Sequence, residues 1–570
     1  MIFLKQARRQ AVKLVGEKSS SLDLARGRIV VVSACFVLAY MLLAVRAVDL
    51  MVIQAQPARI ADIGAVEEDK PAQSSVMRAD ILDRNGELLA TTVKTVSLYA
   101  DPHLISDPQK AAESLSKIFP SLSYGETLQK MQKGARYVRI YRNLTADEQK
   151  NVLMLGEPGL AFEDEDRRVY PHGNLAAHLV GYAGVYNQGL SGIEESFNGL
   201  LSQGKPISLT LDIRVQHALR REMKAAIADF HAQGAAGVIM DVKTGEIVAG
   251  VSLPDFDPQD AGSAKEKNLF SSISLGTYEL GSVFKIFSVA AFLETHDVPM
   301  SASFDAREPI KRGKFTINDY HAEDRVLTIP EIFMYSSNIG AAMMGEAVGT
   351  ERLKKFYADL GLLNLMEIEI PEKGRPLVPN PWREISTLTA SYGHGIATTP
   401  IQLTSAVSSI VNGGYLVKPH LVLGPGGADS SEALRVVSPE TAHRMRQLLR
   451  LVVTDGTGKN ADVPGYRVGG KTGTAEQSSG GGYDRSKLIS SFVGVFPVDD
   501  PQYAVFIAVD SPKPNKKSYG YATGGWVAAP AAARVISSMV AILGMKPEAV
   551  DQDTDMASSL RQYVMVKSHE

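Results

Sequence analysis

An uncharged apolar run near the N-terminus constrains this chain more than any other feature. Residues Ile29 to Val45 carry no charge, and as a helix rising 1.5 Å per residue they cover about 26 Å. That is slightly short of the roughly 30 Å hydrocarbon core of a bilayer. Arg46 can snorkel, however, and Leu50 to Ile53 extend the apolar stretch. Residues 1–28 hold seven Lys/Arg and two Asp/Glu, whereas residues 46–75 hold three basic and five acidic side chains. Basic flanks stay cytoplasmic, so the N-terminus is expected inside and the long remainder outside, in an oxidising compartment. A cleaved signal peptide has a shorter apolar core, about 7–15 residues. The expectation is an uncleaved single-pass anchor over 29–53, since no second run approaches this length.

The remainder is globular in composition, at 45% apolar and 22% charged residues in a chain of 570. That length calls for several domains. A net charge of −3 gives no reason to expect nucleic acid as a partner. The single cysteine, Cys35, excludes an intrachain disulfide framework and a Cys-based zinc site. The eleven histidines include no His-Glu-x-x-His pair of zinc proteases.

Composition shifts divide the chain into a cytoplasmic tail (1–28), the anchor (29–53), a polar linker (54–75), a pedestal (76–205), a connecting helix (206–235), a catalytic domain (236–545) and a loosely ordered tail (546–570). In the pedestal, strand-like runs flank an Asn85-Gly86 turn, and a charged stretch from Pro108 to Asn151 reads as helical. Adjacent Glu194 and Glu195 point in different directions on a helix, so they read as solvated or structural rather than as an acid/base pair. In the catalytic domain, GAAGVIMDVKTGEIVAGVS forms two strands around the Lys243-Thr244-Gly245 turn, and SSFVGVFPVDDPQYAVFIAVD forms a second hairpin. Helical segments lie between them. The fold class is therefore α/β in the α+β sense, with one mixed, largely antiparallel sheet, flanking helices and a helical subdomain.

Three short patterns carry the chemistry. Ser282 and Lys285 stand three residues apart at a helix start, so hydroxyl and amine share a face. Free helix N–H groups there can stabilise developing negative charge. Nine of the eleven residues from Val283 to Leu293 are apolar. Burial on most sides disfavours the ammonium form and makes Lys285 a candidate base for Ser282; the alternative is a lysine that snorkels or is ion-paired. The other patterns are Ser336-Ser337-Asn338, at a junction between helices, and Lys471-Thr472-Gly473, on a glycine-rich approach to a strand. Each pattern also occurs elsewhere by accident, as Ser114 to Lys117, Ser196 to Asn198 and Lys243 to Gly245. Context separates the two sets.

The order and spacing of Ser282, Ser336 and Lys471 resemble the penicilloyl-serine transferases. RADILDRNG, GLSGIEESFNGLL, LTLDIRVQ, YELGSVFK and SYGHGIATTPIQL look like class B penicillin-binding proteins in particular. The likeness covers about residues 78–530 and is similar to the division-specific, FtsI-like peptidoglycan D,D-transpeptidases. Leu280 replaces a usual proline, Val283 a threonine, Ala79 a glycine and His394 a glutamine.

The resemblance implies the following roles. Ser282 attacks the carbonyl between two D-alanines of a stem peptide, and Lys285 takes its proton. Ser336 relays a proton to the leaving amine, and Asn338 holds Lys285 and the substrate amide. Lys471 attracts the terminal carboxylate, Thr472 and Thr474 hydrogen-bond the substrate within the Lys471-Thr472-Gly473-Thr474 strand, and the N–H groups of Ser282 and Thr474 form the oxyanion hole. No metal or cofactor is implied. Expected partners are stem peptides ending in D-Ala-D-Ala, β-lactams, and a multi-span glycan polymerase with other division proteins at the septal inner membrane. An elongation-type synthase, a secreted β-lactamase, a membrane β-lactam sensor and an inactive scaffold are the alternatives.

Overall fold

The computed structural model describes residues 33–41, 76–132, 134–424, 434–479, 482–547 and 555–565. The chain divides into two units, residues 1–75 and 76–570. In the first, residues 33–41 are helical and exposed. No helix among the described residues is long and apolar enough to cross a membrane, and the rest of the expected anchor and linker lies outside them.

In the second unit, strands β1 (Ile81–Leu82) and β2 (Leu88–Ala100) form the hairpin expected around Asn85-Gly86. The Asp83 carboxylate accepts the amides of Asn85 and Glu87 and so fixes the turn. β3 (Val138–Leu144), β4 (Leu160–Val169) and β5 (Ile207–Ser208) complete the sheet, ordered β3-β2-β1-β5 with β4 also on β2. At about 3.3 Å per residue β2 is long enough to serve two cores. Leu89 and Ala90 enter the large core shared with the catalytic domain, whereas Leu98 and Ala100 enter a separate one. That second core is closed by α1 (Pro108–Ile118), α2 (Tyr124–Gln132) and α3 (Ala146–Leu153). The stretch read as helical from Pro108 to Asn151 is thus interrupted by β3. Its Ile140 and Leu144 are buried in that second core, and pairing with β2 overrides the charged local sequence.

Glu194 is fully buried, which corrects the solvated reading and leaves the structural one. Its carboxylate accepts the Nε of Arg78 and the Nε of Arg168, each at 2.7 Å. This joins the segment just before β1, β4 and the short helix Gly192–Ser196 in one charge cluster. Glu195, next to it, is exposed.

Helix α4 (Ile213–Phe230) starts on Asp212, whose side chain accepts the Arg214 amide. It is more than a connector: Val215, Leu219, Met223 and Phe230 pack on the catalytic sheet. That sheet contains β6 (Gly234–Asp241) and β7 (Ile247–Leu253), and after a long helical excursion β12 (Gly469–Ser479), β13 (Gly482–Phe496) and β14 (Tyr503–Asp510). Its order is β12-β13-β14-β6-β7, and every pairing is antiparallel. Side chains alternate across it. Ile239, Phe492, Val505 and Ile507 face α4 and α10 (Ala528–Ile542), while Val238, Val493 and Phe506 face the excursion.

The excursion holds α5 (Lys285–Thr295), two small ribbons (β8, Ser303–Asp305, with β11, Val326–Thr328; β9, Ile310–Arg312, with β10, Phe315–Ile317), α6 (Ile329–Tyr335), α7 (Asn338–Val348), α8 (Pro400–Val411) and α9 (Pro439–Thr454). α8 starts on a capping box between Thr399 and Gln402 and runs to Val411, ahead of Gly413-Gly414 as expected. The segment read as a loose tail is packed in its described part: Ala557 and Leu560 are buried in the main core, and Asp555 pairs with buried Arg450 of α9. The signal was lost because its partners lie far back in the sequence.

Candidate active site

Three local structures deliver the groups. The first is a 3₁₀ turn, Gly281–Phe284, that runs into α5. Gly281 has φ +55, a left-handed conformation that a side chain disfavours, and a Cβ there would lie 2.9 Å from the Thr474 carbonyl oxygen. Leu280, Val283, Phe284 and Phe287 are fully buried around the turn. The departures at 280 and 283 therefore sit in the core, with Val283 against Gly473.

The second is the corner between α6 and α7. Ser336 caps α6 with φ 66, uncommon for a non-glycine residue and costing of order 1–3 kcal/mol. Asp319, just after β10, braces the corner. Its carboxylate accepts the Ser337 hydroxyl at 2.7 Å, the Ile339 amide at 3.0 Å and the Asn338 amide. A negative charge at a helix N-terminus is also favoured by the helix dipole. Nothing in the sequence around Asp319 announces this, because the contact depends on a ribbon folding back across the helix start.

The third is β12, the edge strand of the sheet. Lys471 lies opposite Val493 and points toward the excursion, while Thr472 and Thr474 point to the other face. There the Thr472 hydroxyl meets that of Thr457 at 2.7 Å, and the Thr474 hydroxyl accepts the Gly524 amide at 3.1 Å. Gly473 permits close approach, since a Cβ would come within 2.5 Å of both the Leu280 carbonyl oxygen and the Ser491 Oγ. Thr457 and Gly524 were not singled out in the sequence.

These elements bring Ser282, Lys285, Ser336, Asn338 and Lys471 together. Lys285 Nζ lies 3.0 Å from Ser282 Oγ, 3.1 Å from Ser336 Oγ and 2.7 Å from Asn338 Oδ1, and it also donates to the Ser336 carbonyl. Asn338 Nδ2 donates to the Asn318 carbonyl at 2.9 Å, which fixes the amide with its oxygen toward the lysine. Lys471 Nζ donates to Ser336 Oγ at 2.9 Å.

Both lysines are fully buried. Burial, and next the positive charge of Lys471, hold the Lys285 amine well below the ordinary lysine range, against an opposing pull from Asp319. Burial brings Lys471 down to about 7. His394 lies near enough that burial and then the Lys285 charge lower its imidazole as well.

The hydrogen-bond pattern accommodates a neutral Lys285. The Ser336 carbonyl and the Asn338 Oδ1 can only accept, and an unprotonated amine has two hydrogens for them. Its lone pair is left for the Ser282 proton. The site can therefore make a nucleophilic alkoxide next to a base, beside a sheet edge free to pair with an extended peptide.

The three accidental copies lie elsewhere. Lys117 is exposed and paired with Glu113, Asn198 accepts from Arg78 in the pedestal, and Lys243 lies by Asp500 in a hairpin turn.

Comparison with known proteins places both halves of the chain in one family. The penicillin-binding protein transpeptidase domain matches residues 235–537, and the penicillin-binding protein dimerisation domain matches residues 73–204. The chain is 39% identical over 483 residues to the probable peptidoglycan D,D-transpeptidase FtsI of Caulobacter vibrioides, covering 82% of each chain. It is 26% identical over 563 residues to the peptidoglycan D,D-transpeptidase FtsI of Escherichia coli, covering 92% of this chain and 93% of that one. Among solved structures, penicillin-binding protein 3 of Mycobacterium tuberculosis in complex with aztreonam superposes with a TM-score of 0.66 at 26% identity. That match covers 84% of this chain and 98% of the other.

Proposed function

The chain belongs to the class B, FtsI-like penicillin-binding proteins, and from that premise we propose that it cross-links peptidoglycan stem peptides through an acyl ester on Ser282. The observation that carries the mechanism is the buried Lys285 amine, held within hydrogen-bond distance of Ser282 Oγ, Ser336 Oγ and Asn338 Oδ1.

Ser282 Oγ adds to the carbonyl carbon between the two D-alanines as its proton passes to Lys285. The N–H groups of Ser282 and Thr474 face the developing oxyanion. Collapse breaks the C–N bond. The proton returns from Lys285 through Ser336 to the departing D-alanine amine, leaving the acyl ester. Lys471, with Thr472 and Thr474 along the Gly473 edge, attracts the terminal carboxylate of the donor. An amine of a neighbouring stem then adds to the ester carbonyl and gives its proton back toward Ser282 Oγ as the C–O bond breaks. Water in place of that amine gives the D,D-carboxypeptidase outcome from the same intermediate. A β-lactam enters the first half of the cycle and stops there, since its leaving amine stays tethered.

The setting is part of the same proposal. The 29–53 anchor holds the protein in the inner membrane with residues 76–570 periplasmic, working at the septum beside a multi-span glycan polymerase. The likeness to two FtsI proteins and the charge asymmetry around the apolar run support this.

The test is intact-mass and peptide mapping after exposure to penicillin. One adduct on Ser282, absent in Ser282→Ala, is expected. An adduct on another residue, or an undiminished one in Ser282→Ala, overturns the assignment.

A further inference from the structure

The C-terminal turn, residues 555–565, is tied to two of the three elements that deliver catalytic groups. Its short helix Ser558–Arg561 buries Leu560, and Ala557 beside it is fully enclosed, in the same core as Ile332 and Phe333 of α6 and Met445 and Leu448 of α9. Polar ties then reach past this core in two directions.

The first runs to β12. Arg450 of α9 is buried, and its Nε donates to Asp555 Oδ2 at 3.0 Å. The same guanidinium donates through Nη1 to Asp462 Oδ1 at 2.7 Å and to the Val468 carbonyl at 2.8 Å. Val468 directly precedes β12, three residues before Lys471. Asp555 therefore orients the fork that pins the start of the Lys471 strand.

The second runs to α6. Thr328 Oγ1 donates to the Tyr563 carbonyl at 2.9 Å, and the Met565 amide donates to Glu331 Oε1 at 2.8 Å. Glu331 is fully buried, closes the capping box of α6 and pairs with Arg325 at 2.9 Å. One short helix later the chain reaches Ser336. Ser336 and Lys471 touch each other at 2.9 Å, although α6 and β12 are far apart in sequence.

We propose that the C-terminal turn is a positioning element of the catalytic site, clamping α6 to the start of β12 so that Ser336 Oγ and Lys471 Nζ remain in contact. Asp555 and Glu331 are positioning residues: they touch no reacting atom and act through Ser336 and Lys471. The inference rests on the catalytic reading of those two groups.

The test uses the full chain with Asp555→Asn, the conservative Asp555→Glu, and Met565→Pro, which removes the N–H given to Glu331 and also fixes φ at that position. The readout is single-turnover acylation by penicillin, separated into the saturating rate and the half-saturating concentration and normalised to the folded fraction by active-site titration. A saturating rate at least tenfold lower in Asp555→Asn and Met565→Pro, with recovery in Asp555→Glu, is expected. Folded variants that acylate at the wild-type rate overturn the proposal, because the turn then contributes only stability. Should Asp555→Asn fail to fold, Met565→Pro decides alone. A wild type without any Ser282 adduct instead removes the catalytic reading on which this one stands.

Discussion

Replacing Lys285 by arginine tests the core of the mechanism. Lys285 and Lys471 both reach Ser336 Oγ, at 3.1 and 2.9 Å, so their amines are no more than about 6 Å apart. Two charges at that separation repel by about 3 kcal/mol at an effective dielectric near 20, or roughly two pKa units. The Lys471 charge therefore adds to burial in holding the Lys285 amine down. An arginine keeps a fixed charge and cannot take the Ser282 proton. Its charge also drives Lys471 toward the neutral form, which weakens attraction for the substrate carboxylate. Loss of a general base alone costs about 10²–10⁴ in rate. The expected fall in the second-order acylation constant is roughly 10³, or about 4 kcal/mol of barrier. The assay is penicillin acylation followed by intact mass between pH 6 and 10. In the wild type the rate should rise with pH through a midpoint well under the ordinary lysine value, because only the neutral amine is competent. Acylation of Lys285→Arg within about tenfold of wild type, about 1.4 kcal/mol, would refute the base assignment.

Asp319→Asn should slow acylation by roughly 10–100-fold, of the order expected for mispositioned groups. It should also move the rising midpoint to lower pH, since that carboxylate holds the Lys285 amine up; an unmoved midpoint would exclude the electrostatic part. Lys471→Met should abolish cross-linking yet stabilise the fold near pH 7. The Lys471 pKa falls to about 7 on folding, so the unfolded chain binds more protons between that value and about 10.4, and wild-type stability rises across this window. The gain from the substitution is then at most about 5 kcal/mol near neutrality, less the lost hydrogen bond, and vanishes toward pH 10. A Tm difference that is constant from pH 7 to 10 would contradict this. Glu194→Gln leaves Arg78 and Arg168 without their shared carboxylate and should cost about 3–5 kcal/mol in denaturant unfolding; a loss under 1 kcal/mol would mean the cluster is not stabilising.

How much of this was legible beforehand differs by element. Lys285 could be picked out because its neighbours through Leu293 are apolar, and that enrichment is what buries it. The sheet was legible because its strands alternate toward two cores and its hairpins carry recognisable turns. The strand Val138–Leu144 was not, since most of its side chains are only half-buried and its pairing comes entirely from β2. Asp319 and the C-terminal turn escaped for a related reason. Each is an ordinary polar stretch whose meaning comes from a partner distant in sequence, the start of α7 for one and Arg450 for the other. Periodicity and spacing describe a segment's own geometry, not who will face it.

The sheet order also dictates when the enzyme can exist. β6 lies between β7 and β14, pairing Asp241 with Tyr503, while the turn that holds Glu331 comes later still. A chain emerging from its N-terminus thus presents the β6–β7 hairpin with one bare edge for as long as the whole excursion and two further strands take to follow. Closure of so long a loop is intrinsically slow. During that interval Ser282 and Lys285 are already out but have neither Lys471 nor a braced Ser336. The nascent protein is therefore inert toward its substrate and vulnerable to aggregation at once. The β6 edge is shielded only when β14 arrives to pair with it.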